Sequence, residues 1–206
     1  MKKKVVHLFV FNGLSDWETG YAAAGINSAQ LQKIPGKFQV LTVAIDKTPV
    51  STMGGLCIQP DLAVEEVSPP DSSMLILPGG LAWDEGKYTE LMDTARIFLD
   101  SGKPVAAICG ATAALAKSGL LDNRRHTSNA RDYLIATGYQ GAHLYEDAPA
   151  VTGNRVITAS GVAPVDFAYH IFKYLDLYAP SVLEAWYGLF KTGRPEFYNE
   201  LIQAAN

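Results

Sequence analysis

Five short, unbroken apolar runs constrain this chain more than anything else in it. They read VVHLFVF (5–11), FQVLTVAI (38–45), SMLILP (73–78), PVAAIC (104–109) and RVITAS (155–160), and Gly, Pro or Asp bounds them. None alternates apolar with polar residues, so each reads as a strand covered on both faces, the pattern of a parallel sheet. Helical periodicity fills the gaps, over about 16–33, 87–101, 111–119 and 129–137. Such alternation predicts an α/β fold with an open, doubly wound, mostly parallel sheet.

The C-terminal part follows a different pattern. APVDFAYHIFKYLDLY (163–178) repeats Phe167, Ile171, Tyr174, Leu175 and Tyr178 at three- and four-residue spacing, an amphipathic helix. Two further helices, about 180–191 and 195–204, carry Tyr, Phe and Trp186 and extend the domain over 180–206. They are expected to add cover to the core, with a dimer contact or a lid as the sharper alternatives. With 206 residues and 48% hydrophobic content, one domain spanning 1–206 is expected.

A formal charge of −4, with no basic run beyond Arg124-Arg125, excludes nucleic acid and anionic membrane as main partners. The opening MKKKVVHLFVF has the charge order of a signal peptide. Its apolar run is too short and is interrupted by His7, so a strand is the better reading and a cytoplasmic protein is expected. The two cysteines, Cys57 and Cys109, form neither a metal pattern nor a disulfide framework, and no cofactor is called for.

Cys109 ends one of the apolar runs, is followed by Gly110, and then by an alanine-rich helix. This is the layout of a nucleophile elbow, a sharp strand-to-helix turn that lifts one side chain clear of the sheet. A helix N-terminus beside the sulfur favours thiolate, so a depressed thiol pKa is expected. The competing reading is a small buried hydrophobe. Three other segments converge on the same end of the sheet. In LPGG (77–80) the amides of Gly79 or Gly80 can join that of Gly110 as an oxyanion hole. In NGLSDWETG (12–20) Glu18 can face Cys109, although Ser15 and Glu18 also fit a capping box, and Asp16 lies close by. In RRHTSNARDYL (124–134) His126, Ser128 or Asn129 can supply one more polar group, and Ser128 or Asn129 can cap the helix that follows. His7 and His170 read as packed side chains, His143 lies in an irregular stretch, and Cys57 is expected to pack under a strand.

LILPGG, VAAICGATAALAKSGLLDNRR, DWETGY and VITASGVAPVDFA, in their order along residues 4–178, resemble the ThiJ/PfpI superfamily, a class I glutamine amidotransferase-like group. The resemblance implies a flavodoxin-like three-layer α/β sandwich, often dimeric, so a homodimer is expected. It also implies Cys109 as nucleophile, Glu18 as the carboxylate bonded to it, and Gly80 with Gly110 as oxyanion-hole amides. Two departures stand out. Protease-like members carry histidine directly after the cysteine, where this chain has Gly110. Others carry it in a segment aligned on Thr127-Ser128, where Asn129 takes the place and His126 lies three residues earlier. On an extended strand those two face opposite ways, so the proton-transfer partner of a Cys-His peptidase is missing. The resulting expectation is a cysteine-dependent protease/amidase-type hydrolase working on a small-molecule or peptide carbonyl. The alternatives are a cofactor-independent glyoxalase-like enzyme and a redox-sensing stress protein using the same thiol.

Overall fold

The computed structural model describes residues 3–205. The first β-α-β unit runs β1 (Lys4–Phe9), α1 (Asp16–Asn27), β2 (Phe38–Ala44); a hairpin of two-residue strands follows, β3 (Val50–Ser51) and β4 (Cys57–Ile58), then β5 (Leu62–Ala63). Next come β6 (Ser72–Leu77), α2 (Leu91–Asp100), β7 (Val105–Ile108), α3 (Gly110–Lys117) and α4 (Arg131–Ile135). The chain closes with β8 (Ala150–Thr152), β9 (Val156–Ala159), α5 (Pro164–Leu175), α6 (Pro180–Thr192) and α7 (Pro195–Ala205).

All five apolar runs become strands of one seven-stranded sheet, ordered β5-β2-β1-β6-β7-β9-β8 and parallel except for β8 against β9. Its five long members follow the 2-1-3-4-5 order of flavodoxin-like folds, and helices cover both faces. The buried side chains form a continuous core from Val6 to Leu201, so each strand reads apolar on both faces for the reason the sequence implies. At the β2 edge, the outward amides of Val40 and Thr42 are taken by the Asn27 and Asp61 side chains, at 2.9 and 2.7 Å.

The C-terminal helices are core cover. α5 packs on α1, α6 on α5, and α7 on α6. Trp186 of α6 meets Phe172 edge-on and Tyr178 and Phe190 at tilted angles and is 4% exposed. The Asp166 carboxylate, buried at the start of α5, accepts from Tyr187 (2.7 Å) and Lys191 (2.6 Å) and fastens α6 in place.

Several boundaries differ from expectation for local reasons. α1 stops at Asn27, because Ser28 turns extended and the Gln32 amide donates to the carbonyls of Ile26 (2.8 Å) and Ser28 (2.9 Å). α2 starts only at Leu91, since Tyr88 adopts a left-handed conformation. The stretch before α4 is irregular; its only bridge pairs His126 with Tyr145 among the described residues. Ala130 precedes α4 without any side-chain cap, so neither Ser128 nor Asn129 caps it. Cys57 is exposed at the start of β4 rather than packed under a strand.

Candidate active site

Three loops meet beyond the C-terminal ends of β1, β6 and β7, beside the point where the strand order reverses, which is where open α/β sheets keep their sites. Cys109 supplies the sulfur. Its backbone is at φ 58°, ψ −128°, a region that non-glycine residues avoid at a cost of about 1–3 kcal/mol. Three hydrogen bonds hold it there. The Cys109 amide donates to the Ala159 carbonyl (3.0 Å), and its own carbonyl accepts from the Thr112 amide (3.0 Å) and hydroxyl (2.6 Å). The buried Ser128 hydroxyl backs Thr112 at 2.6 Å. A side chain held in this way projects off the sheet end at the start of α3.

Glu18, on the first turn of α1, is 1% exposed and meets the thiol in a hydrogen bond. It does not close a capping box. Its Oε2 accepts the Gly79 amide at 2.6 Å instead, while the Ser15 amide donates to the Gly79 carbonyl at 3.1 Å. The Pro78 carbonyl is taken by the Trp83 indole at 2.8 Å, so the LPGG turn is fixed on both sides. This close approach depends on glycine at two positions. A Cβ on Gly79 would lie 2.5 Å from both the Cys109 Cβ and the Glu18 carboxylate; one on Gly161 would lie 2.8 Å from the sulfur. Three glycines line the cavity above the sulfur, Gly80, Gly110 and Gly161; the Gly161 amide is engaged by Asn129 and that of Gly79 by Glu18, so the amides of Gly80 and Gly110 are the oxyanion-hole candidates.

Asn129 completes the surroundings. Its side-chain amide donates to the Cys109 sulfur at 3.3 Å, and its carbonyl oxygen accepts the Gly161 amide at 2.8 Å, which fixes the orientation of the group. Of the polar candidates in that segment, only Asn129 reaches the thiol. His126 faces away and is fully buried, with its ring nitrogens on the Arg124 carbonyl (2.7 Å) and the Tyr139 hydroxyl (3.0 Å). Burial holds its pKa below the ordinary value. Asp16 is also absent from the cavity wall. Its carboxylate accepts the Gly54 amide at 2.6 Å and a bond from Thr52, the latter being the main cause of its lowered pKa, and so ties the β3–β4 hairpin to α1.

The electrostatics correct one expectation. Burial pushes the Cys109 thiol up, not down; the Asn129 donor pulls the other way, the Glu18 charge adds to the rise, and the Gly110 amide opposes it. Cys109 is half-buried, and desolvation of the thiolate is the largest influence, ahead of the bonds from Asn129 and the Gly110 amide at the start of α3. Burial likewise raises the Glu18 carboxyl, against the bonds from Gly79, Cys109 and Ser15. The two groups face each other across one hydrogen bond.

The cavity over Cys109 has a volume of about 500 Å³. Asp84 and Tyr133, which the sequence reading did not single out, belong to its wall, and the Tyr133 hydroxyl donates to Asp84 at 2.6 Å. They lie far apart in sequence, and neither carries a motif, so nothing local announced them. Met53, at the tip of the hairpin, joins the rim together with Trp17. Among the described residues no group of three or more His, Cys, Asp or Glu side chains is gathered that could hold a metal ion. Nor is any helix long and apolar enough to cross a membrane.

Comparison with known proteins agrees with this layout. The chain is 40% identical to the uncharacterized protease YoaZ of Bacillus subtilis over 209 residues, covering all of both chains. It is 32% identical to deglycase PfpI of Pyrococcus furiosus over 105 residues, half of this chain and 63% of the other. The crystal structure of a thiJ/pfpI family protein from Bacillus anthracis superposes with a TM-score of 0.92 at 42% identity, covering 99% of this chain and 98% of that one. The sequence profile of the DJ-1/PfpI family matches residues 3–174, which takes in every strand of the sheet and all the loops that meet at Cys109, and to that family the chain belongs.

Proposed function

We propose that the chain is a cysteine-dependent hydrolase that attacks a carbonyl or amide carbon with Cys109, with Glu18 moving the proton. The observation that carries this reading is the sulfur held between the Glu18 carboxyl and the Asn129 amide on a backbone strained at φ 58°. The raised pKa of Glu18 suits it to accept the thiol proton as the sulfur bonds to the carbonyl carbon. The electron pair displaced from the C=O bond moves to oxygen, where the amides of Gly80 and Gly110 hold it. As the oxyanion collapses, Glu18 returns the proton to the departing nitrogen or oxygen, leaving an acyl-enzyme. Water, deprotonated by the same carboxylate, then releases the acid and restores the thiol.

Asn129 donates to the sulfur but cannot shuttle protons, so one carboxylate serves both half-reactions. That favours small or activated substrates, as in an amidase or a deglycase, over peptide bonds. The names of the relatives, protease and deglycase, agree with acyl or adduct cleavage. The test is to incubate the protein with a panel of aldehydes, amides and peptides and to follow Cys109 by mass spectrometry while measuring product. Turnover with a transient adduct on Cys109 supports the hydrolase. Stable adducts or peroxide-driven oxidation of Cys109, with no turnover of any member of the panel, would replace it with the redox-sensing reading.

A further inference from the structure

The cavity over Cys109 is one-sided in charge. Trp17, Met53, Leu81 and Val162 present exposed apolar surface around it, and among the described residues no Lys, Arg or His lines it. Glu18 is buried at its floor, and the solvent-facing carboxylate of the wall is that of Asp84. The Tyr133 hydroxyl donates to Asp84 Oδ1 at 2.6 Å, which orients the carboxylate and leaves Oδ2 without a partner among the described residues. Burial, with Asp84 adding to it, pushes the Tyr133 phenol far above its ordinary value, so it remains a donor at every working pH. The nearby cation Arg131 belongs to the neighbouring cavity, on the other side of Asn129, and donates to the Ala142 carbonyl at 3.2 Å.

A single exposed charge in a cleft with apolar walls raises the local concentration of the opposite charge and repels its own sign. An aromatic ring at the rim adds a face on which a cation can rest. We propose that Asp84, oriented by Tyr133, makes this site selective for carbonyl compounds that carry a positively charged nitrogen, an ammonium or guanidinium group, over compounds that carry a carboxylate. The proposal rests on the reading that Cys109 is the reacting group, and it names the substrate class of that same site.

Charged thiol reagents test it without needing the true substrate. In a Cys57→Ser background, Cys109 is treated with three methanethiosulfonates, bearing an ethyltrimethylammonium, an ethylsulfonate or a neutral methyl group. In each reaction the thiolate attacks the sulfenyl sulfur, an S–S bond forms, and methanesulfinate leaves with the electron pair of the broken S–S bond. Each rate is divided by that of the neutral reagent on the same variant and corrected by the same ratio for a free thiol. The expected result is a preference for the cationic over the anionic reagent of about tenfold, reduced about threefold or more by Asp84→Asn, and collapsing toward one as NaCl rises to about 1 M. A ratio at or below one, a ratio unchanged by Asp84→Asn, or a ratio lost in Glu18→Gln rather than in Asp84→Asn would overturn the proposal. If Asp84→Asn does not fold, the salt series on the parent decides, and insensitivity to salt counts against it. Failure of even the neutral reagent to modify Cys109 would overturn the reactive-thiol reading itself, and the proposal with it.

Discussion

The two cysteines have opposite surroundings. Cys57 is exposed at the start of a two-residue strand and paired across a hairpin with Ser51. Cys109 is half-buried, its backbone is held in a conformation that costs energy, and a carboxyl and an amide both reach its sulfur. Solvent access and the gathering of polar groups around a sulfur are therefore separate properties. Among the described residues no acid–base side chain is seen to meet the accessible thiol, whereas the less accessible one has a carboxyl, a hydrogen-bond donor and a cavity beside it.

The largest effect expected from that contrast is on turnover. Cys109→Ser should lower it by about 10³-fold or more, and Cys57→Ser should leave it within about twofold, as read by steady-state rates on any substrate the panel identifies. Comparable losses in both variants would end the distinction.

Glu18→Gln sharpens the contrast by moving two properties of Cys109 in opposite directions. Turnover should fall by about 10²–10⁴-fold, because the amide cannot carry the proton. The thiol pKa should nonetheless move down, because the charge that raises it is gone, whereas Asn129→Ala should move it up by removing a donor that favours thiolate. The pH dependence of iodoacetamide alkylation in the Cys57→Ser background should place Glu18→Gln lowest, the parent next and Asn129→Ala highest. A thiol pKa that rises in Glu18→Gln would mean that the carboxyl is protonated at rest and donates to the sulfur. Stability carries the same sign. A carboxyl whose folded pKa is raised favours the fold below its unfolded pKa, and that contribution is lost as pH rises through the folded value. Glu18→Gln should therefore melt above the parent near pH 8, with the gap closing toward pH 4.

The smallest effect concerns packing. Gly79→Ala should cost about 1–3 kcal/mol in urea unfolding, since the added methyl meets Cys109 and Glu18 at 2.5 Å. Cys57→Ser should stay within about 0.5 kcal/mol, as exposed positions do. Equal costs would show that the surroundings of Cys109 are no tighter than those of the hairpin.

What could be read from the sequence followed physical range. Unbroken apolar runs report burial on both faces, so the long strands and their mostly parallel arrangement were visible, and so was the elbow, because strand, cysteine, glycine and helix are contiguous. Glu18 was visible as a motif facing Cys109, but its backbone partner was not; choosing between the Ser15 amide and the Gly79 amide requires knowing how the LPGG turn folds back. His126 and Asn129 could not be separated by periodicity, since the stretch between them is irregular and the buried ring of His126 finds its bonds at Tyr139 and Arg124. The hairpin at 50–58 was missed because two-residue strands carry no periodicity, and with it went the position of Cys57 and the role of Asp16 in anchoring that hairpin. The thiol pKa was misjudged because a helix N-terminus is legible in sequence and the depth of a sulfur is not.

The β2 edge bears on how this molecule behaves in crowded solution. β5 covers only the end of β2, and a longer stretch of bare strand edge would act as a template for other chains, the usual start of ordered aggregates. Here the two amides that would recruit a foreign strand are already occupied by Asn27 and Asp61, neither of which can extend a ladder. The sheet thus ends in side-chain plugs, and Asp61→Ala together with Asn27→Ala would open a docking rail for fibril growth without touching the core.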